Sequence, residues 1–175
     1  MIALAHAATA PKQGHEDGRK LLRQLFETHV GGEMPPIAIG ERGKPYFEGH
    51  PIHFSITHTP NHVFCALSHR PIGIDAEELD RKFSLRVADK ILSPTEKAQF
   101  DAATDKSRAL LTFWVLKEAE AKCSGLGLRG YPDHTDFDLN DPRVSKIGEC
   151  IVAVIQAEEP QVDDLTEPQE EADAL

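Results

Sequence analysis

Two stretches of this chain, residues 15–30 and 106–123, carry a helical pattern, and each is set among short strand-like runs cut off by Gly and Pro. The runs 52–57, 63–68 and 72–77 read as strands between them. An α+β fold is therefore predicted. In the first helix Leu21, Leu22, Leu25 and Phe26 recur at helical spacing with Arg19, Lys20 and Arg23 between them, and Gly31-Gly32 ends it. The second is closed by Ser124-Gly125-Leu126-Gly127. The opening residues 1–7, a short run at 37–39 and the segments 136–139, 143–147 and 150–155 read as further strands. Two shorter helices are expected at 84–92 and 94–100, the latter capped by Ser93-Pro94-Thr95-Glu96. Strand, helix, strands recurs without a literal repeat, which suits two similar lobes, residues 1–71 and 72–156.

The formal charge of −10 is unevenly spread: eight acids and no base follow residue 156, so the body is nearly neutral. A nearly neutral body lacks the clustered cations that nucleic-acid binding requires. Residues 157–175, with Pro160 and Pro168 and no apolar period, have the composition of a solvated, disordered tail. Cys65, Cys123 and Cys150 are odd in number and widely spaced, which indicates neither a disulfide framework nor a zinc knuckle and fits a reducing cytoplasm. No apolar run is long enough for a membrane span, and the first residues lack the basic start of a signal peptide. Neither nucleic acid nor membrane is expected as a partner.

Two segments carry candidate chemistry. In Ile72-Gly73-Ile74-Asp75-Ala76-Glu77 the apolar residues share one parity and the two acids the other, so a strand aims both carboxylates to one side. Such a pair suits a hard cation with oxygen ligands, and equally the wet face of an edge strand. In the second helix Trp114, Glu118 and Lys122 follow at i, i+4 and i+8 and form one stripe. Alone, this stripe also reads as a core Trp beside an ordinary surface ion pair.

Together the segments resemble the paired signature of the 4′-phosphopantetheinyl transferase superfamily: Gly-Ile-Asp-x-Glu, then Trp-x-x-Lys-Glu-Ala-x-x-Lys, with Glu118 43 positions beyond Asp75. Gly43-Lys44-Pro45 is similar to the family's Gly-Lys-Pro turn, and Phe54-Ser55-Ile56-Thr57-His58-Thr59 to its Phe-Asn-Ile-Ser-His-Ser strand end. All four occur in the family's order. Length points to the Sfp-like type, in which two similar α/β lobes of one chain form a pseudo-dimer. Val115 departs from the family's preference for Ser, Cys or Thr, and the segment before Gly43 is abbreviated.

The resemblance implies transfer of the phosphopantetheine arm of coenzyme A to a serine of an apo acyl or peptidyl carrier protein. It implies that Asp75, Glu77 and Glu118 hold Mg²⁺, that Glu118 takes the serine proton and that Lys122 stabilises the departing 3′,5′-ADP. Lys117 is expected to fix the phosphates. Lys44 and His58, with Thr57 beside them, are expected to hold the 3′-phosphate of coenzyme A, and Arg19 is a further candidate for coenzyme A contact. The basic stretch from Arg81 to Lys90 is the expected docking face for the carrier, and the chain is expected to act as a monomer. Five histidines between His50 and His69 lack the spacing of a soft-metal site. A Mg²⁺-dependent phosphodiesterase or nuclease also needs three acids, and a non-catalytic module binding coenzyme A or a partner would share the fold.

Overall fold

Antiparallel hairpins organise both halves of the chain in the computed structural model, which describes residues 2–127 and 136–158. In chain order the elements are β1 (Ile2–Ala8), α1 (Gly14–His29), β2 (Ile37–Ile39), β3 (Pro45–Phe47), β4 (His53–His58), β5 (His62–Ser68) and β6 (Ile72–Glu78). They continue through a 3₁₀ turn at Leu85–Val87 to α2 (Ala88–Ile91), α3 (Pro94–Ala102), α4 (Lys106–Ser124), β7 (Val144–Ile147) and β8 (Cys150–Gln156). One sheet has the order β1-β5-β4 and another β6-β8-β7, while β2 and β3 form a separate ribbon. Each large sheet therefore runs first strand, last strand, middle strand of its half. No described helix is long and apolar enough to cross a membrane.

Side-chain parity explains how the layers stack. On β5, Cys65 and Leu67 join Leu22, Leu25 and Phe26 of α1 in one core. The alternate residues Phe64 and Ala66 meet Ile72, Ile74 and Ala76 of β6 and Val152 of β8 in another. Ile151, Ala153 and Ile155 turn the far face of β8 onto Leu110, Phe113, Leu116 and Ala119 of α4. The order of layers is helix, sheet, sheet, helix. Strand β5 is covered on both faces, which is why it reads as a nearly continuous apolar run. Asp75 pairs with Ala153 in the ladder, which puts the acid on the α4 side of β6.

Three expectations need correction. Residues 136–139 form no strand, because their backbone bonds go to side chains of α3: Phe137 N–H donates to Glu96 Oε1, Leu139 N–H to Gln99 Oε1, and Gln99 Nε2 donates to the Phe137 carbonyl. The helix expected at 84–92 is broken into a 3₁₀ turn and the single turn α2, since Leu92 and Ser93 go extended before Pro94. Residues Pro45–Phe47 add β3, paired with β2 across Ile37↔Phe47. The Ser93–Glu96 capping box forms as its sequence indicates, and α4 ends on Gly125 at φ 71°. Nearly all of the acidic tail lies outside the described residues.

Candidate active site

Asp75 is buried where β6 passes under α4. Its Oδ1 accepts from Lys122 Nζ at 2.7 Å and from Thr57 Oγ1 at 3.1 Å, while its buried Oδ2 has no hydrogen-bond partner. Burial pushes the Asp75 carboxyl above its ordinary pKa, against the pull of Lys122 and Thr57. Glu118 shares this corner from α4. Burial and then the Asp75 charge raise its pKa, with Lys122 and Arg81 opposing. Two carboxylates with raised affinity for protons, one of them with an orphaned buried oxygen, form a site short of positive charge.

Trp114, Glu118 and Lys122 do share a face of α4. Lys122 reaches back to Asp75 and donates to the Ile74 carbonyl at 3.1 Å, and Trp114 meets Phe83 in a tilted ring contact at 5.1 Å between centroids. The expected convergence of three acids is not reached. Glu77 points to the same side as Asp75 but is ion-paired with Arg81, and no three of His, Cys, Asp and Glu converge as a metal site among the described residues.

Two clefts open onto this cluster. One, of about 260 Å³, brings Lys44 and Arg42 from the β2–β3 hairpin opposite Glu118 and Lys122, over Phe54 and Ile56. Lys44 lies along Gly125 and donates to the Cys123 carbonyl at the end of α4, and burial lowers its pKa. The second, of about 690 Å³, is lined by Lys12, His15, His58, Glu77 and Arg81 among others. His58 is exposed there and meets His15 edge to face at 4.6 Å.

The model of the 4′-phosphopantetheinyl transferase superfamily matches residues 71–163, from just before β6 to beyond β8. The chain belongs to this superfamily. It is 32% identical over 129 residues to a 4′-phosphopantetheinyl transferase of Bacillus subtilis, covering 71% of this chain and 57% of that protein. To the transferase Sfp of Bacillus subtilis strain 168 it is 38% identical over 92 residues, which is 50% of this chain and 40% of Sfp. To enterobactin synthase component D of Escherichia coli K12 it is 29% identical over 147 residues, 81% of this chain and 68% of that protein. The chain spans about half the length of the transferases it matches.

Within this member of the superfamily, several expected site residues have other surroundings. Lys117 faces away from both clefts: it is 2% exposed and pairs with the fully buried Glu96 at 2.8 Å. Glu96 also accepts from Ser93 N–H and Phe137 N–H, so the pair ties α3 and α4 to the 136–139 segment. The Thr57 hydroxyl is buried and turned inward to Asp75. Arg19 lines a separate hollow with Arg23 and Met34. Lys44 and His58, expected on one phosphate, stand in different clefts. Gly73 belongs to the strand motif, and a Cβ there would lie 1.9 Å from the Ala119 carbonyl oxygen of α4. Its shared parity with Asp75 and Glu77 indicates the side it faces, while the close approach of α4 is set by packing. Arg81, the first residue of the basic stretch expected to dock the carrier, also reaches the acids.

Proposed function

We propose that this chain is a 4′-phosphopantetheinyl transferase that moves the phosphopantetheine group of coenzyme A onto a serine of an apo acyl or peptidyl carrier protein. The observation that carries the reading is the cleft in which Lys44 faces Glu118 and Lys122, with Asp75 locked to Lys122 beneath them. A diphosphate needs cations along its length, and a hydroxyl needs a base; the cleft offers both. Glu118, half-buried with a raised pKa, takes the proton of the serine hydroxyl. The serine oxygen attacks the β-phosphorus, the bond from that phosphorus to the bridging oxygen breaks, and 3′,5′-ADP leaves with the electron pair. Lys122 meets the charge that develops on the leaving oxygen, and Asp75 and the Ile74 carbonyl hold its ammonium in place. Thr57 orients Asp75, and Lys117 serves as a buried anchor of α4.

The donor set suits Mg²⁺: Asp75 Oδ2 and Glu118 are hard oxygens short of positive charge, and Glu77 completes the trio once it leaves Arg81. When bound, the ion neutralises the diphosphate. The common strand order of the two sheets supports a pseudo-dimer of lobes 1–71 and 72–156, with the site between them. A single chain then suffices as a monomer, and its three free thiols suit a reducing cytoplasm.

The direct test is incubation with Mg²⁺, coenzyme A and a panel of apo carrier proteins. The expected result is a carrier heavier by one phosphopantetheine and release of 3′,5′-ADP. Hydrolysis of nucleic acid or of simple phosphodiesters instead would favour a phosphodiesterase, and binding of coenzyme A without turnover a non-catalytic module. The assignment of Lys44 and His58 is tested with 3′-dephospho-coenzyme A. Lys44→Ala and His58→Ala are each expected to weaken coenzyme A more than the dephospho form, because the lost contact is to the 3′-phosphate alone. Since the two residues line different clefts, a selective effect in only one variant would assign the phosphate to that cleft.

A further inference from the structure

Arg81 leaves the end of β6 in a turn, with its N–H donating to the Glu78 carbonyl, and swings its side chain back over the acidic corner. There it forms the ion pair with Glu77. Its guanidinium lies 4.1 Å from the Phe83 ring centroid and 5.6 Å from that of Trp114. Stacking on aromatic faces and pairing with a carboxylate are interactions for which a planar cation is suited, and together they fix Arg81 more firmly than a solvated surface pair. Asp75, Glu77 and Glu118 thus have two resident cations. Lys122 is tied to Asp75 and to a backbone carbonyl, whereas Arg81 is 40% exposed and borders the larger cleft.

A divalent ion bound by the three acids would need Glu77, the carboxylate that Arg81 holds. Resting on the reading of these acids as the metal ligands, we propose that Arg81 is a built-in counter-ion of the site that competes with the divalent metal for Glu77. It offsets the charge of Glu77 before the metal enters and withdraws when Glu77 turns to the metal. Arg81 is thereby a positioning residue that sets the affinity for metal without touching the reacting atoms.

The experiment is calorimetric titration with Mg²⁺ alone, in the absence of coenzyme A and carrier, on the wild type, Arg81→Met and Arg81→Lys. Loss of a competing partly exposed cation is expected to tighten Mg²⁺ about fivefold in Arg81→Met and by less in Arg81→Lys, which keeps the charge but not the planar stacking. A merely structural role would weaken binding or leave it unchanged, and either result overturns the inference. A Lys variant as tight as the Met variant also overturns it, because the charge would then be irrelevant. The wild type supplies an arm free of variants, since Trp114 is the chain's single tryptophan and stands beside Arg81. Its emission is expected to shift as Mg²⁺ saturates the protein, and a constant emission at saturation overturns the inference. Absence of any Mg²⁺ binding to the wild type would overturn both this inference and the metal-site reading on which it rests. Binding with no effect of Arg81 overturns the inference alone.

Discussion

Glu118→Gln is expected to lower transfer by about 10³-fold while the fold stays native, because the amide keeps the shape of the side chain and loses the base. The same change removes a negative charge from beside Asp75, and that has a signature in stability. Burial and the Asp75 charge raise the pKa of Glu118 in the folded protein above its ordinary value of 4.5. The folded state therefore holds this proton more tightly than the unfolded state does, and stability falls as pH rises from about 4.5 through the folded pKa. Glutamine does not ionise. Without divalent metal, the melting temperature of the variant should match wild type at pH 4 and exceed it at pH 7, by melts on the two proteins in chelator. Turnover close to wild type with a native circular dichroism spectrum would remove Glu118 from the proposed mechanism. A variant less stable than wild type at pH 7 would mean that its carboxylate is better satisfied than the geometry indicates.

The sequence makes the core-facing parity of β6 and the stripe on α4 legible, because both depend on local spacing alone. Period two puts Asp75 and Glu77 on one side of a strand, and period 3.6 aligns Trp114, Glu118 and Lys122. What lies across from each face is set by tertiary packing. Lys117 adjoins Glu118 in the motif, yet one residue is a turn of about 100° on a helix, and that turn carries it into the core against Glu96. Residues 136–139 look strand-like, but side chains of α3 bond their backbone first. The division of Lys44 and His58 between two clefts depends on where the β2–β3 hairpin and the start of α1 approach the second half, and no periodicity encodes that.

The other large effect is expected at Gly73. Gly73, Asp75 and Glu77 share a parity and face α4, and at Gly73 the helix backbone occupies the place of a side chain. A methyl group there would lie 1.9 Å from the Ala119 carbonyl oxygen and 2.5 Å from the Cys123 nitrogen. Both are backbone atoms of the helix, so no flexible side chain can yield, and relief requires α4 to move away from the sheet. Gly73→Ala is expected to destabilise the protein by about 3 kcal/mol, at the upper end for overpacking in a rigid site. The melting temperature should drop roughly 6–12 °C for a chain of this size. Activity should fall beyond what the unfolded fraction explains, because the displaced helix carries Glu118 and Lys122. The bonds from Lys122 to Asp75 and to the Ile74 carbonyl span that same gap and would lengthen with it. Thermal melts, with transfer assayed well below the variant's midpoint, separate the two effects. A variant that melts within a degree or two of wild type would show that α4 is free to slide on β6, and the contact could not then be what registers the catalytic helix against Asp75.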